Sequence, residues 1–553
     1  MSLRPIIVLS CSVLLASIIA FAGASCTRRA LAADPSASFG FPFEEATIAE
    51  LQIRMDSGDL DSQRLTRAYL DRIAAIDDSG AMLNAVIELN PDALREAAMR
   101  DLERKSGKTR GPLHGIPVLL KDNIDAVPMV NSAGSLALAG HRPRQDAPLV
   151  ASLRAAGAVI LGKTNLSEWA NFRSTRSTSG WSGRGGQTRH PYALDRNPCG
   201  SSSGTGSAIA ANFASVGVGT ETDGSILCPA AVNGLVGIKP TVGLISRTGI
   251  IPISASQDTA GPMARTVADA AVLLDAMATA TDTADAATQV PARRRADYAA
   301  ALDPNALNGA RIGVLRDATG YQPDLDAAFE RALAAMKASG ATLVDVKIPT
   351  AGQWGDAEFE VLLYEFKDGL NRYLADSGAP VASLAELIAY NKAHADVEMM
   401  WFGQELFEQA QAKGPLTDRA YLDARAKARR LAGKEGIDAT LSAGKLDALV
   451  APTTSPAWPI DPVNGDHFTG AGYGVAAVAG TPSMTVPMGE VHGLPVGIAF
   501  LGPAWSEAKL IGYAYAFEQV THARKPPTFM PSIPTQTATS MTSPASPRRH
   551  DAR

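Results

Sequence analysis

The segment Asn197-Pro198-Cys199-Gly200-Ser201-Ser202-Ser203-Gly204-Thr205-Gly206-Ser207 runs directly into the apolar stretch Ala208 to Val218. A flexible Gly/Ser linker would not be expected between long apolar segments in the middle of a core. A phosphate loop would need Lys-Ser or Lys-Thr at a fixed spacing after the glycines, and none follows. Gly200-Ser201-Ser202-Ser203-Gly204 formally matches the G-x-S-x-G hydrolase elbow with Ser202 as nucleophile, but that turn must be entered by a strand. Here the entry is Leu194-Asp195-Arg196-Asn197-Pro198, a loop sequence whose proline would interrupt a central strand.

A second cluster follows: Gly219-Thr220-Glu221-Thr222-Asp223-Gly224-Ser225-Ile226-Leu227-Cys228-Pro229-Ala230-Ala231. Small residues let consecutive backbone N–H groups converge on one point, which is how an oxyanion hole is assembled without side chains. Upstream, Gly111-Pro112-Leu113-His114-Gly115 leads into the apolar run Ile116 to Leu120, which ends in Lys121-Asp122-Asn123. Taken alone, Lys121 reads as a solvated lysine at a strand end.

Outward from these clusters, short apolar runs alternate with helical patterns. The runs are Ile116–Leu120, Ala158–Leu161, Val216–Val218, Arg311–Leu315 and Ala448–Val450. The alternation predicts an α/β fold with a sheet buried on both faces, and with no linker in the middle of the chain one large domain is open beside several. Thr47-Ile48-Ala49-Glu50 is a capping box ahead of a helix that stops at Gly58, and Leu65, Tyr69, Arg72, Ile73 and Ile76 form the stripe of a second helix. Residues 354 to 445 are rich in Glu, Lys, Ala and Leu at helical spacing and predict an inserted helical region over part of the sheet. After Lys525 the chain turns Pro/Ser/Thr-rich, so residues 525–553 are expected to be a disordered tail.

A chain of 553 residues with 46% hydrophobic and 19% charged residues can bury a large core. Its net charge of −5, with Lys and Arg scattered along it, argues against a nucleic-acid partner. At the N-terminus, Arg4, the apolar run Pro5 to Ala22 and the small residues after it read as a signal peptide within residues 1–32, with Ala22-Gly23-Ala24 and Ala30-Leu31-Ala32 as cleavage sites. The expected location is therefore the periplasm or the exterior, with no stable membrane association after cleavage. A retained anchor is the rival reading, because the run nears the lower length of a spanning helix. Gly23-Ala24-Ser25-Cys26 imitates a lipidation box poorly, and Arg28-Arg29 falls on the wrong side of the run for twin-arginine export. Cys199 and Cys228 remain in the mature chain. Two cysteines make no disulfide framework, and although they flank the two serine clusters the expectation is two thiols rather than a bridge. With no Cys/His pairs at ligand spacing, no zinc site is expected.

Together the three clusters resemble the amidase signature family, whose pattern couples a strand-end lysine, a Gly-Ser-Ser loop and a later Gly-Ser nucleophile. The resemblance continues through Asn233–Thr241, Asp258–Thr266, Gly480-Thr481-Pro482 and Gly493–Gly497, covers roughly residues 45 to 523, and so implies the fold, one large α/β domain whose central mixed β-sheet is covered by helices on both faces. It implies that Lys121 is the base, Ser201 a bridging serine in a cis conformation and Ser225 the acyl-forming nucleophile. It also implies an oxyanion hole from the N–H groups of Thr222, Asp223, Gly224 and Ser225, a substrate contact at Ser201, and a substrate-facing loop around Ala170 and Asn171, with no metal or cofactor. The usual Gly-Thr-Asp-x-Gly-Gly-Ser reads Gly-Thr-Glu-Thr-Asp-Gly-Ser here, which with the downstream Cys-Pro-Ala-Ala is similar to the branch containing bacterial peptide amidases. Asp223 then either orients the loop or the leaving ammonia, or serves the structure alone. The implied activity is hydrolysis of a carboxamide, with an amidotransferase subunit or a non-catalytic binding protein as alternatives.

The chemistry explains these residue types. A serine hydroxyl is a poor nucleophile until a base takes its proton, and a lysine is a base only when uncharged. Burial lowers a lysine's pKa toward working pH, a range that a guanidinium does not reach.

Overall fold

The computed structural model describes residues 40–278, 281–290 and 297–534. The proposed signal segment and residues 535–553 lie outside them. None of the described helices is long and apolar enough to cross a membrane.

Thirteen strands are present among the described residues: β1 (Val86–Leu89), β2 (Pro117–Lys121), β3 (Val159–Thr164), β4 (Trp181–Ser182), β5 (Gly186–Gln187), β6 (Val216–Glu221), β7 (Val236–Lys239), β8 (Thr259–Ala264), β9 (Arg311–Leu315), β10 (Thr342–Val346), β11 (Ala448–Pro452), β12 (Ser483–Val491) and β13 (Leu494–Leu501). Eleven of them form one sheet in the order β1-β3-β2-β6-β8-β7-β12-β13-β11-β9-β10, while β4 and β5 pair separately. Parallel pairs (β3·β2, β2·β6, β11·β9, β9·β10) flank an antiparallel centre, so the sheet is mixed as expected. Every residue of β2, β3, β6 and β13 is buried, which requires cover on both faces and explains why these strands read as apolar runs without alternation.

Local signals in the sequence correspond to local structure. The Thr47 side chain accepts from the Glu50 N–H, closing the capping box of the helix Ile48–Asp56. Leu65, Tyr69, Arg72, Ile73 and Ile76 are buried along the helix Ser62–Ile76. The region from Gly355 to Gly444 is helical. It packs Leu363, Phe366 and Leu370 against Trp169, Phe172 and Ile253, so the insert covers the loops at the strand ends.

Residues 525–534, expected as the start of a disordered tail, are instead held against the domain. Lys525 C=O accepts from the Tyr192 hydroxyl, the Phe529 N–H donates to Pro191 C=O at 2.9 Å, and the Leu194 N–H donates to Met530 C=O at 2.8 Å. Phe529 and Ile533 lie against the core. Two apolar side chains among prolines suffice to anchor a segment whose composition alone lacks periodicity.

Candidate active site

Three chain segments meet beside the C-terminal ends of β2 and β6. Lys121 is the last residue of β2, Ser201 lies in the loop before the helix Ser203–Ala210, and Ser225 lies between β6 and the helix Leu227–Val232. Because β2 and β6 are parallel neighbours with Leu120 beside Val218, the end of one strand faces the end of the other. Lys121 is fully buried, not solvated. Its Nζ lies 2.7 Å from Ser201 Oγ, 2.9 Å from Thr220 Oγ1 and 3.2 Å from Thr220 C=O. Thr220 Oγ1 also accepts from Asn123 Nδ2 at 3.0 Å. Burial brings the Lys121 pKa down to about 7, against the weaker opposing pull of Glu221 and Asp258. A neutral amine in this position can donate to both Thr220 oxygens and still offer its lone pair to the Ser201 hydroxyl.

The serine loop is stitched to the β6 turn. The Ser202 N–H donates to Ser225 C=O at 3.1 Å, Ser202 Oγ donates to Thr220 C=O at 3.1 Å, and the Thr220 N–H donates back to Ser202 Oγ at 3.2 Å. Ser202, the nucleophile of the elbow reading, is fully buried and its hydroxyl is committed to these bonds. The Gly200–Ser201 peptide is cis. A Cβ at Gly200 would lie 2.2 Å from Ser167 Oγ, so only glycine fits there. Cys199 and Cys228 are joined in a disulfide, correcting the expectation of two thiols. Their Cα atoms are 6.0 Å apart, within ordinary bridging reach, because the serine loop and the turn carrying Ser225 converge.

Ser225 opens onto a cleft of about 450 Å³. Its hydroxyl makes no hydrogen bond to a protein group among the described residues, so Ser201 and Ser225 are neighbours across the stitched loops without a direct bond between their hydroxyls. Ala170, Asn171, Thr222 and Asp223 line the same cleft. Trp169, Ala170 and Asn171 are three consecutive non-glycine residues at positive φ (51°, 54° and 70°), a conformation no local sequence signal marks. The Gly224 N–H faces the Glu221 carboxylate, and a Cβ there would meet the Tyr473 ring at 2.3 Å. Glu221 itself is fully buried, and its Oε2 accepts from the N–H groups of Ile226 (2.7 Å) and Leu227 (2.9 Å), fixing the turn that carries Ser225. Asp223 is open to the cleft, but its carboxyl is pushed well up by burial and by the facing Glu358, with which it shares a hydrogen bond.

Sequence reasoning missed Thr220, Asn123, Glu221 and Glu358. The first three stand inside the quoted clusters and were legible as neighbours. Glu358 comes from the helical insert, and nothing local announces it. Among the described residues no group of three or more His, Cys, Asp or Glu is placed to hold a metal ion.

A mixed α/β sheet that sets a buried lysine against a buried serine behind a cleft-facing serine has the parts of a hydrolase of the serine and lysine class. The chain belongs to the amidase family, whose model matches residues 64–511. It is similar to the peptide amidase of Stenotrophomonas maltophilia, with 61% identity, a TM-score of 0.86, and coverage of 88% of this chain and 99% of that one. It is 41% identical to a probable amidase of Arabidopsis thaliana over 89% of this chain and 93% of the relative. A glutamyl-tRNA(Gln) amidotransferase subunit from Moorella thermoacetica is more distant, at 33% identity over 87% of this chain and 98% of its own length. The protein is an amide hydrolase of the amidase signature group, structurally close to peptide amidase.

Proposed function

We propose that this enzyme hydrolyses the C-terminal carboxamide of peptides to acid and ammonia through an acyl-enzyme on Ser225. The observation that carries the reading is the bond between the buried Lys121 Nζ and Ser201 Oγ beside the cleft-facing Ser225. Ser225 Oγ attacks the carboxamide carbon while its proton passes to Ser201 Oγ and the Ser201 proton passes to Lys121 Nζ. The new ammonium returns that proton through Ser201 to the leaving nitrogen, so ammonia departs and Ser225 holds the acyl group as an ester. Water then repeats the sequence and releases the acid. N–H groups of the 222–225 turn receive the carbonyl oxygen, a reading supported by the position of Thr222, Asp223 and Ser225 along the cleft, although the Gly224 N–H faces Glu221. The peptide substrate is supported by the resemblance to a peptide amidase that was crystallised with the competitive inhibitor chymostatin.

Export to the periplasm or the exterior is part of the same proposal. It rests on the N-terminal pattern and fits the Cys199–Cys228 bond, since such bonds persist in oxidising compartments. Ammonia release from a panel of peptide amides, aryl amides and fatty amides tests the substrate class, with peptide amides expected to be preferred. Preference for a fatty or aryl amide would contradict it. Mass analysis of mature protein from the periplasm should find cleavage before residue 33 and the Cys199–Cys228 bond intact. Full-length or reduced protein would contradict export.

A further inference from the structure

Trp458, Asp466 and Phe468 line the same cleft as Ser225, so this segment brings a carboxylate and two aromatic side chains to it. Trp458 and Phe468 stand edge to face with centroids 6.1 Å apart, and Phe468 is 49% exposed. Asp466 is held by neutral donors. Its Oδ1 accepts from Asn197 Nδ2 at 3.0 Å and Trp458 Nε1 at 3.1 Å, and the Ser179 N–H spans Oδ1 and Oδ2 at 3.2 and 3.0 Å. These donors, with the Ser179 side chain that also bonds the carboxyl, hold the group rigidly, and none of them carries a charge that would neutralise it. No Lys, Arg or His side chain pairs with Asp466 among the described residues, and none lines the cleft. The charged groups of the cleft are Asp223, already engaged with Glu358, and Asp466. A carboxylate preorganised by neutral donors, in a cleft that also holds the exposed Phe468 ring, matches a cation by ion pairing and by contact with that ring.

We infer that Asp466, with Trp458 and Phe468, forms an acyl-side subsite that recognises a positively charged group of the substrate, and so sets a preference for cationic peptide amides. This deepens the reading of the enzyme as a peptide amide hydrolase and rests on it. The charge is supplied either by a guanidinium or ammonium side chain at the amidated residue or by the free α-amino group of a short peptide. Burial raises the Asp466 carboxyl somewhat, in line with a site that waits for its counter-charge.

Binding to the Ser225→Ala variant, measured by calorimetry, separates the subsite from turnover. N-acetyl-glycyl-arginine amide is compared with its neutral isostere, N-acetyl-glycyl-citrulline amide, and glycyl-leucine amide with its N-acetylated form. At least one cationic member should bind about tenfold more tightly than its neutral twin, by an amount that falls as salt is raised. Whichever pair shows the preference identifies the source of the charge. Asp466→Asn should abolish the preference while leaving the neutral amides within about threefold. Equal binding of cationic and neutral partners would overturn the subsite, as would an Asp466→Asn variant that weakens all four ligands alike, the mark of a purely structural carboxylate. Turnover of the same amides by wild type reports separately: a cationic preference in binding without hydrolysis would leave the subsite standing and overturn the proposed function.

Discussion

Two fully buried lysines stand side by side in this molecule, Lys121 at the end of β2 and Lys163 on the adjacent parallel strand β3, where Leu120 pairs with Lys163 and Lys121 with Thr164. Burial lowers the pKa of both. Their partners differ in kind. Lys163 Nζ meets acceptors: Ile124 C=O at 2.6 Å, Val130 C=O and Asn131 Oδ1 at 3.3 Å, and the Asp122 carboxylate at 3.4 Å. Lys121 meets two hydroxyls and a carbonyl, with its nearest carboxylates acting only at a distance. A cage of acceptors with a carboxylate favours the ammonium, whereas hydroxyls serve either protonation state because they donate as readily as they accept. Burial alone therefore does not make a base; the partner set does.

The contrast between the two lysines breaks most visibly at Lys121. Lys121→Ala should lower kcat/KM by about 10⁴-fold with the fold retained by circular dichroism, and Lys121→Arg should fail to restore it, since a guanidinium stays protonated. Wild-type-like turnover by Lys121→Arg would reduce the residue to a source of charge. Removing the other lysine should cost stability instead. Lys163→Met leaves the buried Asp122 short of one partner, although Arg184 Nη1 remains at 3.1 Å, and should lower the unfolding free energy by about 3 kcal/mol in urea titrations. The folded fraction should keep an acid limb near pH 7, and displacement of that limb would mean that the two lysines titrate together.

Glu221→Gln sharpens the contrast further, because Glu221 acts on Lys121 through charge and on Ser225 through the Ile226 and Leu227 amides. Its negative charge raises the Lys121 pKa, so its removal should move the acid limb of kcat/KM to lower pH. Loss of a charged acceptor at the nucleophile turn should lower kcat by about tenfold with KM little changed. A fall in kcat without movement of the limb would limit Glu221 to holding the turn.

What could be read from the sequence follows from the same physics. Ser201 and Ser225 stood out because each sits where the backbone must approach closely or turn sharply, and such places leave glycine and small residues around them, as at Gly200. Lys121, by contrast, ends an apolar strand as a solvated lysine would, and drew notice only through the resemblance of the three clusters together. The strands were legible as apolar runs because both faces are buried. Strand order was not, since the pairing of β8 between β6 and β7 depends on contacts between distant segments. The disulfide was hidden for the same reason, because two cysteines carry no pairing information until the loops converge. The helices of the insert were visible at helical spacing, but not that Glu358 would reach Asp223. Asp466 reads as an ordinary loop aspartate until Trp458, Asn197 and Ser179 gather around it.

A neutral Lys121 that draws a proton from Ser225 through Ser201 is tested most directly by the rate at which an active-site phosphonate modifies the protein as a function of pH. Mass mapping should place the adduct on Ser225, with a rate that rises about tenfold per pH unit below an apparent pKa of about 7 and levels off above it, the sign required when only the deprotonated lysine is competent. An adduct on Ser202, or a rate on Ser225 that is flat across pH 7, would contradict it.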